Sequence, residues 1–252
     1  MTGLESIIRK KLAQKPMLLM THMVLGYPSF DDNWRMLETM KECGADLVEL
    51  QFPFSEPVAD GPVFVRANQK SLDQGTRVEQ CFAFMKKASA AFDLPFLMMG
   101  YYNTVYAMGE DVFIQRLKSN GGCGYIVPDL PIAVGSDFFA RSQKADLAPV
   151  MILTPNSSAE RLKKVASHSG GFVYCVARKG VTGKKTQLDN SLDAYLGMVR
   201  QSTRLPIALG FGLKSRADAN ALRGKADIAI IGTASLEAWE RGGVAALKAC
   251  LS

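Results

Sequence analysis

Short apolar runs recur along the chain, each closed by Gly, Pro or Asp and followed by a stretch in which apolar residues return every three or four positions. The runs that read as strands are 17–24 (MLLMTHMV), 46–51 (DLVELQ), 95–99 (PFLMM), 124–128 (GYIVP), 148–153 (APVMIL), 172–177 (FVYCVA), 206–209 (PIAL) and 227–231 (DIAII). Helical periodicity occupies 31–43, 77–92, 110–119, 135–145, 158–168, 190–202, 215–223 and 235–249, with Asp31 and Ser215 as N-caps. Strands that alternate with helices pair in parallel, because each return of the chain needs a crossover. Eight such units predict an α/β fold, a closed (β/α)8 TIM barrel with a short N-terminal helix; a doubly wound open sheet is the competing architecture. No linker or shift in composition interrupts the 252 residues, so 1–252 are expected to form one domain.

Two connections that follow strands are long, 52–76 and 178–189. In a barrel such loops gather at the C-terminal face, where active sites form. The first of them follows a strand that contains a carboxylate. In DLVELQF, alternation places Leu47, Glu49 and Gln51 on one face and Val48, Leu50 and Phe52 on the other. The first face is expected to line the barrel interior near its rim, where partial desolvation raises the pKa of Glu49 and suits it to proton transfer near neutrality. A structural Glu bonded to backbone amides or to a neighbouring base is the alternative. Asp60, in SEPVADGP, reads either as a turn former before Gly61 or as a second carboxylate held on the loop opposite Glu49.

Glycines mark a candidate anion site. VARKGVTG (176–183), LGFG (209–212) and IIGTAS (230–235) follow the sixth, seventh and eighth runs. Gly183, Gly212 and Gly232 would let backbone N–H groups approach a phosphate closely. Gly232-Thr233 also opens the last helix, whose N-terminus favours an anion.

The remaining chemistry narrows the class. Net charge is +6, but the basic residues are dispersed and no basic stripe is interleaved with aromatics, so nucleic acid is not the expected target. The five cysteines are scattered, and with only two histidines no metal-ligand spacing occurs; no metal is expected. His22 reads as a satisfied interior side chain and His168 as a solvated residue at a helix C-terminus. No run is long enough to span a membrane, and MTGLESIIRKKLAQK lacks the pattern of a secretory signal, so a cytoplasmic protein is expected.

LVELQFPFSEPVADGP (47–62) resembles the signature of the tryptophan synthase α subunit family, and the likeness continues in order through LGYP (25–28), MGYYN (99–103), VPDLP (127–131), RKGVTG (178–183), GFG (210–212) and IIGTAS (230–235). The resemblance implies a barrel lyase of tryptophan biosynthesis that cleaves indole-3-glycerol phosphate to indole and glyceraldehyde 3-phosphate. It implies Glu49, Asp60 and Tyr174 as the catalytic set. Tyr101 and Phe211 would border the indole, Thr182 would meet Asp60 from the mobile loop, and Gly183, Gly212, Gly232 and Thr233 would hold the phosphate. It implies no cofactor on this chain, and association with a pyridoxal-phosphate β subunit as α2β2 through the 52–62 loop and the 128–134 segment, where Pro53, Phe54, Pro57 and Val58 form an apolar cluster. The sequence departs from the family pattern at His22, Gln51, Glu56, Val65 and Thr104, and its segment after the last strand is short. A stand-alone indole-3-glycerol phosphate lyase, a weakly active allosteric activator of a β subunit and another phosphosugar barrel enzyme are the alternatives.

Overall fold

The computed structural model describes residues 2–176, 190–210 and 212–252. Among them, nine strands form one sheet: β1 (Leu18–Val24), β2 (Leu47–Gln51), β3 (Phe96–Met99), β4 (Gly122–Ile126), β5 (Ala148–Pro149), β6 (Met151–Leu153), β7 (Val173–Val176), β8 (Ile207–Gly210) and β9 (Ile228–Ile231). All neighbours are parallel, in the order β5-β4-β3-β2-β1-β9-β8-β7-β6. The two edge strands, β5 and β6, are consecutive in the chain, so Val150 joins the ends of the sheet into a barrel. One run of sequence thus serves as two short strands. Pro149 has no N–H to give to a ladder, and the pairing changes just beyond it. Val150 N–H still bonds Tyr125 O at 2.9 Å on one side, while Gly170 N–H reaches Pro149 O at 2.7 Å on the other.

Every residue of β1, β2 and β3 is buried, as expected for a parallel sheet filled inside and covered by helices outside. Alternation assigns each side chain to one of two cores. Leu47 joins Leu18, Met20, Leu97 and Ile228 in an inner cluster, and Val48 and Leu50 join Met36, Leu37 and Met40 in an outer one. Leu4 and Ile8, from the helix Gly3–Leu12, belong to the inner cluster. That helix therefore stops the end of the barrel where the strands begin, pinned by Gly3 N–H to Asp146 Oδ1 at 2.8 Å. The opposite end is left for polar side chains.

The elements differ from the sequence reading in three places. The 52–76 connection is half helix: Pro62–Asp73, with Gly61 at the N-cap and Pro62 in the first turn. Pro is suited to that position because its fixed φ is already helical and its missing N–H would have had no helical partner. Val63, Phe64, Ala67 and Ser71 give the helix its buried face. A further helix, Tyr102–Met108, fills the stretch after β3. The helix after β1 begins at Phe30 and is capped by Ser29, whose hydroxyl accepts from Asp32 N–H, rather than by Asp31; Ser215 caps Arg216–Asn220 as read. The 178–189 connection lies outside the described residues.

Candidate active site

The inward faces of β1 and β2 end in polar residues at the rim. Register pairs His22 with Glu49 and Val24 with Gln51, and Glu49 is 3% exposed, Gln51 0% and His22 8%. Burial raises the pKa of Glu49 to about 8, with the charge of Asp60 adding to the shift. Burial pushes His22 down to about 3, against a smaller upward pull from Gln51. At neutral pH Glu49 is therefore protonated and His22 neutral. Their 3.7 Å approach, Nε2 to Oε1, is a contact between neutral groups and not an ion pair.

Asp60 is held from three elements. Gln51 Nε2 on β2 donates to Asp60 Oδ2 at 2.7 Å, and Asn68 Nδ2 on the helix Pro62–Asp73 donates to the same oxygen at 3.4 Å. The Tyr101 hydroxyl, just after β3, accepts Ala59 N–H at 3.1 Å, which fixes the residue before Asp60, and it draws the Asp60 pKa downward. Asn68 ties the loop down a second time, its Oδ1 accepting Phe54 N–H at 2.9 Å. Burial lifts the Asp60 pKa to about 6 despite these donors. The two carboxylates titrate on either side of neutrality, one arrangement that lets a single site hold an acid and a base together.

Tyr174, on β7, closes the group. Its pKa is driven well above the ordinary tyrosine value by burial first and then by the charges of Glu49 and Asp60, which marks it as their neighbour. Gly210 on β8 makes room for it: a β-carbon there would lie 2.6 Å from the Tyr174 hydroxyl. Gly210→Ala is therefore expected to cost about 1–3 kcal/mol of stability through overpacking, read as a lower urea midpoint at unchanged slope.

The structure thus brings Glu49, Asp60, Tyr101 and Tyr174 into one cluster. Gly232 adjoins it, since a β-carbon at Gly232 would sit 3.4 Å from His22 Cβ. Gly232 is the N-cap of the helix Thr233–Leu251. Gly212 follows β8 with φ +91°, the left-handed region that favours glycine. Thr182, Gly183 and Phe211 lie outside the described residues. His168 ends its helix, as read, with Nδ1 2.9 Å from Lys164 O.

The reading of His22 as a satisfied interior side chain holds for its position but not for its Nε2. Its ring is interior and stacked on Phe64 (centroids 4.2 Å apart, 20° between planes), yet Nε2 has no hydrogen-bond partner, and the same holds for Glu49 Oε2 and Gln51 Oε1. Each such atom costs about 1–3 kcal/mol, a concentration of unmet polarity typical of a place where a ligand binds. Of the departures from the family pattern, His22 and Gln51 are inside the site, while Glu56 and Val65 are exposed. Asn68 and Phe64 escaped the sequence reading because their segment read as loop; the DGP start followed by an apolar helical stripe was the available signal. Among the described residues no group of three His, Cys, Asp or Glu is placed to hold a metal, and no helix is long and apolar enough to cross a membrane.

Fold and site together define a (β/α)8 barrel with two carboxylates, the buried Glu49 and the half-buried Asp60, at its C-terminal rim, the face on which barrel enzymes carry their active sites. A profile of the tryptophan synthase alpha chain family matches residues 8–248. The tryptophan synthase alpha chain of Syntrophotalea carbinolica is 49% identical over 246 residues, covering 98% of this chain and 97% of that one; that of Desulfotalea psychrophila is 50% identical over 240 residues, covering 95% and 94%. Among solved structures, tryptophan synthase of Mycobacterium tuberculosis superposes with a TM-score of 0.92 at 30% identity, over 99% of this chain and 95% of that one. A chain from a structure of the tryptophan synthase α2β2 complex of Pyrococcus furiosus gives 0.85 at 27% identity, over 93% and 96%. The chain belongs to the tryptophan synthase alpha chain family. It is a carbon–carbon lyase of tryptophan biosynthesis, and the family's reaction is the cleavage of indole-3-glycerol phosphate.

Proposed function

We propose that Glu49 and Asp60 divide the retro-aldol cleavage of indole-3-glycerol phosphate between them. Protonated Glu49 gives its proton to indole C3, and Asp60 accepts a hydrogen bond from the indole N–H, stabilising the cation that forms. The Glu49 carboxylate then takes the proton of the hydroxyl on the carbon bonded to C3. As that O–H bond becomes the aldehyde C=O, the C3–C bond breaks and its electron pair returns to the indole. Tyr174 packs beside both carboxylates, and Tyr101 holds Asp60 while its ring, stacked on Phe54 at 5.0 Å, borders the indole with Phe211. The N-terminus of Thr233–Leu251, with Gly183, Gly212 and Gly232, receives the phosphate, and Thr182 meets Asp60.

The observation that carries this reading is a protonated, buried Glu49 facing an ionisable Asp60 that is held by Gln51, Asn68 and Tyr101. The test is release of indole and glyceraldehyde 3-phosphate in equal amounts when the purified chain is given indole-3-glycerol phosphate, with and without a β subunit. A chain that released none under either condition would be an activator only.

The partner is a pyridoxal-phosphate β subunit in an α2β2 assembly in the cytoplasm, a compartment that suits five free cysteines. This chain supplies no cofactor of its own. The apolar cluster read on the 52–62 loop largely folds back: Pro57 is buried and Phe54 stacks on Tyr101, whereas Val58 is 72% exposed. Tyr106 at 72% and Val134 at 70% are further exposed apolar side chains, on the helices that follow β3 and β4. Val134→Asp and Tyr106→Asp are expected to weaken β-subunit binding about tenfold or more, as charges placed in an apolar contact do, with basal indole release unchanged. Sedimentation of mixtures with the β subunit checks it; undiminished co-sedimentation would move the interface elsewhere.

A further inference from the structure

His22 and the side-chain oxygen of Gln51 take no part in the steps above, yet His22 Nε2 and Gln51 Oε1 are buried without partners beside Glu49. The His22 ring is clamped against Phe64 and has little freedom. Its two nitrogens face different parts of the site. Nε2 points to Glu49, 3.7 Å from Oε1. Nδ1 lies on the side of Gly232, 3.6 Å from where a β-carbon on that residue would be. The imidazole therefore spans the interval between the acid that acts at the reacting carbon and the helix end proposed for the phosphate.

A three-carbon chain must bridge that same interval in indole-3-glycerol phosphate. It carries two hydroxyls: one loses its proton during cleavage, and the one on the middle carbon does not react. We infer that His22 Nε2 and Gln51 Oε1 bind the middle hydroxyl and make this chain selective for a glycerol phosphate that carries it. The inference rests on the function proposed above. A hydroxyl both accepts and donates, so it can take the Nε2–H bond from a neutral imidazole and give its own proton to the carboxamide oxygen. Both orphaned atoms are then satisfied. A ligand without that hydroxyl leaves them unpaired, and sites of this kind discriminate strongly for that reason. Burial holds His22 neutral at pH 7, so it binds without competing with Glu49 as an acid.

The test uses two stable probes, sn-glycerol 3-phosphate and 3-hydroxypropyl phosphate, which lacks the middle hydroxyl, titrated into the chain by calorimetry. The wild-type chain is expected to prefer the first at least tenfold. In His22→Phe the preference should fall to about twofold or less, with affinity for the second probe unchanged, which also reports that the variant is folded. For cleavage of indole-3-glycerol phosphate, the loss in His22→Phe should lie mainly in KM. Equal wild-type affinity for the two probes overturns the inference whatever the variant does, and so does an unchanged preference in His22→Phe. Indole release by the wild-type chain, measured in parallel, reports separately on the function itself.

Discussion

Glu49→Gln is expected to reduce indole formation at least a thousandfold while leaving the fold intact. Gln has nearly the shape of Glu and fits the same buried position, but it cannot give a proton to C3 and then take one from the hydroxyl. General acid and general base steps each contribute about 10²–10⁴-fold, and one residue serves both here. Single-turnover assays of indole release measure the effect; a variant that kept a tenth of the wild-type rate would end the acid–base role. The same substitution has a signature in stability. Glu49 ionises near its ordinary 4.5 in the unfolded chain and only near 8 in the folded one. Between those values the folded state holds a proton that the unfolded chain has released, so native stability falls as pH rises, by about 1.4 kcal/mol per pH unit from this group. Gln removes that slope. Urea unfolding at pH 6 and pH 8 should show the variant gaining on the wild type at the higher pH.

Asp60→Asn should lower cleavage about a hundredfold or more, with glycerol phosphate binding nearly unchanged. Asn can still accept from Gln51 Nε2 and Asn68 Nδ2 through its oxygen, so the loop keeps its tether. Its other terminal atom becomes a donor, where Asp60 must accept the indole N–H and carry charge. The wild-type rate should rise as pH climbs through about 6, where Asp60 ionises, and fall as pH climbs through about 8, where Glu49 loses its proton. The lower limb should vanish in Asp60→Asn and the upper limb remain. A collapse of glycerol phosphate affinity in calorimetry would instead assign Asp60 to the phosphate or to the fold of the loop.

The alternation of strands and helices, and with it the barrel, was legible in the chain because burial on both faces writes a parallel strand as a short apolar run. Glu49 stood out for the same reason: a carboxylate inside such a run has to face the interior, and the parity of LVELQ is enough to say so. Asp60 was visible only as a loop acid beside it. Pairing preferences were not legible in the fifth run, where Pro149 divides one stretch between β5 and β6, because the sequence does not record which neighbour each half will meet. The helix Pro62–Asp73 was hidden by the turn residues that introduce it, and with it went Asn68 on Asp60 and Phe64 on His22. These contacts join residues from different elements, and they exist only once β1, β2 and that helix are packed. Local patterning therefore determined the barrel and the strand that carries the acid. Only the tertiary structure decided that Gln51 grips Asp60 at 2.7 Å, that His22 is left without a partner at Nε2, and how far the expected rise in the Glu49 pKa goes, to about 8, since hydrogen-bond satisfaction and desolvation depend on what closes around a group.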